Sequence, residues 1–280
     1  MLTTPTLTRT DTRVAGAPVA TATEPAVPAA QRQPLLVAKG MSKRFGQVQA
    51  LVDADLELDA SEVVALVGDN GAGKSTLIKA ISGVQPADAG EISIDGKRVH
   101  IRNASDAYKL GIATVYQDLA LCDNLDVVAN LFLGGEKLTG VARVLDEPAT
   151  EQKTLELLDS LGVTSMASVR ARVGSLSGGQ RQAVAIARSL LGEPRIVILD
   201  EPTAALGVVQ TAQVLELIHS LRAQGLAVVV ISHNLENIYS VADRIVVLRL
   251  GHVAASFDRR ATPRQEVVAA ITGAGAHPVA

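Results

Sequence analysis

The chain has 280 residues, 48% hydrophobic and 20% charged, with a formal net charge of −3 at pH 7. That balance suits a globular protein of one or two domains with a sizeable core, and it gives no argument for nucleic acid as a partner. One cysteine, Cys122, excludes an internal disulfide and a zinc–thiolate cluster, which fits a reducing cytosol.

Residues 1–34 are rich in Thr, Ala and Pro and poor in large apolar side chains. Such a segment cannot bury enough surface to offset ordering, so it is predicted to be a disordered tail. The folded part is predicted to start near Leu35. "LLVAKGMSKRFG" and "ALVDADLELDASEVVALVG" read as short strands with turns, and "EISIDGKRVHI" reads as a hairpin around Asp95-Gly96. "GIATVYQ" reads as a further strand. From Leu119 to about Ser175 the pattern turns helical, and "ATEQKTLELLDSLGV" is read with Thr154, Leu155, Leu158 and Leu161 on one side. Cys122 falls in this block and reads as a small core residue.

Strands return in "RIVILD", "LAVVVIS" and "DRIVVLRLGHVAA". The first two are continuous apolar runs, as expected of parallel strands covered on both faces. With helical segments between them, they predict an α/β core with a parallel sheet. No run approaches the ~18 apolar residues that cross a bilayer, so any membrane role falls to another chain.

Three stretches carry chemistry. "EVVALVGDNGAGKSTLIKAISG" runs from strand to Gly-rich loop to helix and contains Gly68-x-x-x-x-Gly73-Lys74-Ser75. Successive backbone N–H groups of Gly68, Asp69, Asn70, Gly71, Ala72, Gly73, Lys74, Ser75 and Thr76 can curl round phosphates at the positive end of a helix. Lys74 would reach the β- and γ-phosphates and the Ser75 hydroxyl would ligate Mg²⁺. In "RIVILDEP", Asp200 ends a buried strand where an isolated carboxylate is costly, a cost that a nearby metal relieves. Glu201 beside it is the candidate general base for an attacking water. His233 follows "LAVVVIS" where ligands collect in parallel sheets, and it is a candidate catalytic residue whose imidazole could reach the γ-phosphate. Taken alone it could be a satisfied core histidine.

The third stretch, "RVGSLSGGQRQAVAIARSL", sets a Ser and two glycines before a good helix. Ala183, Ile186, Ala187, Leu190 and Leu191 form its apolar face. Capping alone needs only the Ser, so the glycines call for a further explanation.

The order "GDNGAGKST", "VYQD", "LSGGQ", "VILDEP", "ISH" resembles the ATP-binding subunits of ABC transporters over residues 35–255. The resemblance implies a RecA-like P-loop NTPase core, an N-terminal antiparallel β subdomain and a helical subdomain inserted at about 119–175, followed by a short C-terminal segment, 256–280. It also implies a head-to-tail homodimer. Ser177, Gly178, Gly179 and Gln180 of one copy would close over the ATP held by the P-loop of the other, the glycines permitting close approach. Phe45 stands where an aromatic stacks on adenine, although it could be plain core. Gln117 matches the residue that touches Mg²⁺ and water and links to the helical insert. The stretch after "EPT" departs from the family's Ser-Ala-Leu-Asp: it reads "AALG", with Gly207 for the Asp, which puts the usual cross-dimer contact in doubt.

"EPTAALG" and "GIATVYQDLALCDNLDVVANLFLG" resemble the ATPases of bacterial sugar importers in the ribose, xylose and fructose group, and the single half resembles the fructose-type members. This implies ATP and Mg²⁺ as cofactors, multi-span membrane permease subunits docking on the helical insert, a periplasmic or extracellular sugar-binding protein, and a cytoplasmic, peripheral location on the inner face of the membrane. An importer for a non-sugar solute and a soluble non-transport ATPase are the alternatives.

Overall fold

The computed structural model describes residues 33–136, 138–139, 144–163 and 166–274. The tail expected over residues 1–34 lies outside the described residues, except for its last two.

Strand follows strand at first. β1 (Leu36–Phe45), β2 (Val48–Leu58), β4 (Ala89–Ile94) and β5 (Lys97–Val99) make an antiparallel sheet in the order β2-β1-β4-β5. The β4–β5 turn is Asp95-Gly96 with φ of 49° and 71°, the positive pair that a two-residue hairpin demands.

The second sheet contains β3 (Val63–Val67), β6 (Ile112–Val115), β9 (Ile196–Asp200), β10 (Ala227–Ile231), β11 (Arg244–Arg249) and β12 (His252–Asp258), in the order β12-β11-β3-β10-β9-β6. All its pairings are parallel except that of the edge strand β12. The unbroken apolar runs are explained by alternation. In β10, Val229 and Ile231 enter the core shared with the antiparallel sheet, whereas Val228 and Val230 enter the core under the helices. In β9, Ile196 and Ile198 go one way and Val197 and Leu199 the other. Full burial of each such side chain is worth about 1.5–3 kcal/mol, so neither face of these strands can turn to water.

The helical layer contains α3 (Val127–Phe132), α4 (Glu147–Ser160), α5 (Gly178–Leu190) and α6 (Val208–Ala223). α1 (Lys74–Ile81) fills the space between the two sheets, and α2 (Ala104–Lys109) precedes β6. α7 (Leu235–Val241) and α8 (Arg264–Thr272) cover the β11 side.

Two expectations shift. On α4, Leu155 is 52% exposed, and Leu157 is buried beside Thr154, Leu158 and Leu161. Residue 155 stands 100° round the helix from 154, while 157 and 158 lie at i+3 and i+4. Within the block read as helical, Leu138–Thr139 and Val144–Leu145 pair as two short antiparallel strands, β7 and β8. Cys122 is half-buried. No helix among the described residues is long and apolar enough to cross a membrane.

Candidate nucleotide site

β3, β10 and β9 are neighbours, and the residues just past their C-terminal ends converge. Gly68 follows β3, Asp200 ends β9 with Glu201 next, and Ser232 and His233 follow β10. A cavity of about 920 Å³ opens there, within the range of ligand sites. Its walls include Phe45, the whole loop from Gly68 to Thr76, Gln117, Asp200, Glu201 and His233.

The loop is shaped by close approach. Gly73, at φ 106°, precedes α1, and a Cβ there would lie 2.6 Å from the Ala50 carbonyl oxygen. A Cβ on Gly68 would strike the Leu248 carbonyl. The loop must therefore be backbone at these points, and the N-terminus of α1 faces the cavity. The Lys74 side chain is buried and donates from Nζ to the carbonyls of Gly68 (2.6 Å) and Asp69 (2.9 Å). Burial holds its pKa below that of an ordinary lysine, against the pull of Glu201, Asp69 and Asp200.

The acidic pair is under tension. Burial, and then the neighbouring Glu201, hold the Asp200 carboxyl above the usual carboxylate range, against Lys79 and Lys74. Glu201 has φ 49°, uncommon for a side chain of this size, and its N–H is fixed to the Ile231 carbonyl at 2.9 Å. His233 Nδ1 donates to Glu201 Oε1 at 3.0 Å. The same nitrogen lies 3.0 Å from Oε2, yet that buried oxygen accepts no hydrogen bond among the described residues. His233 is 74% exposed at its side chain, which rules out a core histidine. The turn around it is held by Ser232 Oγ, which accepts from Asn234 N–H, and by Asn237, whose amide donates to Thr203 Oγ1. Phe45 is 39% exposed, so it is not plain core, and Lys43 lies 5.7 Å from its ring centroid.

Ser75, Gln117 and Asp200 offer a hydroxyl, an amide oxygen and a carboxylate to this cavity. This all-oxygen set, with an Asp whose ionised form is disfavoured, fits a hard cation held jointly by protein and phosphate. A cluster of three or more His, Cys, Asp or Glu able to cage a metal is absent among the described residues.

Ser177, Gly178, Gly179 and Gln180 are not among the residues lining this cavity. They form the start of α5 and satisfy one another there. Ser177 Oγ accepts from Gln180 N–H at 3.3 Å, and Gln180 Oε1 accepts from Ser177 N–H at 2.9 Å, a reciprocal capping box. Within the chain, the glycines serve packing. A Cβ on Gly178 would sit 2.6 Å from Leu206 Cδ2, and one on Gly179 would sit 3.0 Å from Gln213 Oε1 and 3.3 Å from Gln210 Cβ. Gly207 is the N-cap of α6, where its N–H donates to Gln210 Oε1.

Residues 51–204 match the family described as ABC transporter. The chain belongs to the ABC transporter family. It is 44% identical to the fructose import ATP-binding protein FrcA of Rhizobium meliloti, over 88% of this chain and 97% of that protein. It is 43% identical to the xylose/arabinose import ATP-binding protein XylG of Sulfolobus acidocaldarius, over 85% and 94%. Against the ribose import ATP-binding protein RbsA of Clostridium tetani the identity is 36%, and the match spans 48% of that longer protein. Among solved structures, the ADP conformation of the cassette MJ1267 superposes with a TM-score of 0.73 at 25% identity, over 86% of this chain and 95% of that one. A dimeric post-hydrolysis cassette, MJ0796 bound to ADP and Pi, gives 0.67 at 26% identity, over 81% and 100%.

Some wall residues carried no motif. Val48, Ala50 and Leu235 line the cavity, as do Val268 and Ile271 from α8. Apolar side chains recur throughout the chain without marking a site, and only the fold brings these here.

Proposed function

We propose that this chain is the ATP-binding subunit of an ABC importer, hydrolysing ATP in a head-to-tail homodimer to energise carbohydrate uptake through separate membrane permease subunits. The observation that carries the ATPase reading is Glu201. It is fixed by Ile231 and His233, with Oε2 unbonded, at the mouth of a P-loop cavity.

Each residue then has a part. The N–H groups from Asp69 to Thr76, together with Lys74, bind and orient the β- and γ-phosphates. Phe45 offers its ring to the adenine. Ser75, Gln117 and Asp200 would hold Mg²⁺, which supplies charge neutralisation at the phosphate oxygens when bound. Glu201 Oε2 takes the proton of the attacking water, and His233 holds that carboxylate in position. Ser177 to Gly179 of the second copy complete the enclosure with hydroxyl and backbone donors at a helix N-terminus. Their absence from their own chain's cavity, and the dimeric cassette of like fold, support this pairing. A C2 arrangement makes two identical sites.

The sugar reading is supported by the relatives, whose names give fructose, xylose/arabinose and ribose import. In this reading the chain sits peripherally at the cytoplasmic face of the membrane, and an external sugar-binding protein delivers the solute to the permease. Co-purification with its permease, followed by ATPase assay in proteoliposomes carrying the binding protein, tests it. Stimulation by a pentose or hexose is the expected result, and stimulation by an amino acid alone would refute the sugar reading.

A further inference from the structure

Phe45 ends β1, and its ring meets the nucleotide cavity while belonging to none of the hydrophobic clusters among the described residues. No packed core therefore fixes it. What stands beside it is charge. Lys43, two residues earlier on the same strand, places Nζ over the ring, 5.7 Å from its centroid. The faces of an aromatic ring are electron-rich and attract an ammonium at this range. Lys43 does not line the cavity, so the ammonium meets the ring from outside it.

Lys43 is itself held. Its Nζ donates to Asp88 Oδ1 at 2.7 Å, and its side chain is only 15% exposed. Asp88 directly precedes β4, in the segment that leaves α1. It grips β1 at three consecutive residues. Its N–H donates to the Ser42 carbonyl at 2.8 Å, Oδ1 accepts from Lys43, and Oδ2 accepts from the Arg44 N–H at 2.8 Å. The Lys43 bond, and after it the Arg44 N–H, hold the Asp88 carboxyl below the ordinary aspartate range. An isolated exposed ion pair would contribute little. This one belongs to a knot that fixes the strand at residues 42, 43 and 44, directly before Phe45. In the same segment the Gln85 N–H donates to the Lys79 carbonyl of α1 at 3.0 Å. One short stretch thus joins the helix that follows the phosphate loop to the strand tip that carries the ring.

A flat platform binds a base more tightly when its orientation is set beforehand, because less freedom is lost on binding. We propose that Lys43, anchored by Asp88, is a positioning residue that braces the Phe45 ring and so sets the share of nucleotide affinity contributed by the base. This rests on the placement of Phe45 against the adenine above.

The test uses the purified full chain and measures binding of ADP and of pyrophosphate by equilibrium dialysis. Both ligands carry two linked phosphates, and only ADP carries a nucleoside. Lys43→Met keeps an unbranched stem and removes the charge. It is expected to weaken ADP about three- to fivefold and to leave pyrophosphate unchanged, with most of the loss recovered in Lys43→Arg. In a Phe45→Leu background, Lys43→Met is expected to cost nothing further, because the brace then has no ring to hold. Unchanged ADP affinity in Lys43→Met, an equal loss for pyrophosphate, or the same loss again in the Phe45→Leu background overturns the proposal. Should Lys43→Met fail to fold, Asp88→Asn carries the test. It removes the anchoring charge and is expected to weaken ADP alone, and a loss shared equally by both ligands, or no loss, overturns the proposal in the same way. A wild-type chain that binds pyrophosphate as tightly as ADP would instead sink the underlying placement of adenine on Phe45.

Discussion

The two ends of this machinery are built on opposite principles. The cavity at the ends of β3, β9 and β10 gathers costly groups: a buried Lys74, an Asp200 reluctant to ionise, and a Glu201 in a left-handed conformation with one oxygen unbonded. The start of α5 gathers none. Its capping box closes on itself and its glycines seat α6. The contrast teaches that one region holds stored electrostatic demand that a ligand can relieve, whereas the other is already satisfied and contributes by position.

The sharpest way to break that contrast is at Glu201. Glu201→Gln is expected to lower kcat on the order of 10²- to 10⁴-fold and to leave a nucleotide-bound dimer that size-exclusion chromatography with ATP detects; wild-type turnover would remove the base from Glu201. Next in size, Lys74→Ala is expected to weaken ATP binding by about 10- to 100-fold, the equivalent of a charge-assisted hydrogen bond of roughly 1.5–3 kcal/mol, read by equilibrium dialysis. In the other region the cost should appear in stability instead. Gly179→Ala presses on Gln210 and Gln213 and is expected to cost about 1–3 kcal/mol in urea unfolding, with ATP affinity of the protomer unchanged.

The smallest effect concerns pH. The folded-state pKa of Asp200 is raised, so its ionisation opposes folding: stability is present below that pKa and is lost as pH rises through it. Asp200→Asn is thus expected to raise the unfolding midpoint of the nucleotide-free chain at neutral pH, with the gain shrinking on acidification. A gain that grows at low pH would contradict the assignment. In the wild type, Mg²⁺-dependent ATP affinity should fall on acidification earlier than an ordinary carboxylate would allow.

Much of the cavity was legible in the sequence because its chemistry is local. A strand, a Gly-rich turn and a helix follow one another between Val63 and Ile81, and the continuous apolar runs in "VILD" and "VVVI" are short-range. What escaped was tertiary. On α4 the helical period puts Leu157 rather than Leu155 on the face of Thr154 and Leu158, but only the packing against α3 and α5 says which face turns inward. The bond from Arg188 to Leu119 spans 69 positions, and nothing in either stretch announces it. The glycines of "LSGGQ" suggested room for a ligand, whereas α6, some thirty residues on, needs that room as well.

Val268 and Ile271, on α8, help wall the cavity, and Val268 is made 200 residues after Gly68. On the ribosome the P-loop therefore emerges long before its last wall. Until α8 docks, the cavity lacks part of its apolar wall, so its closure depends on segments 200 residues apart. A ligand that binds only the walled cavity therefore also stabilises the docked position of α8.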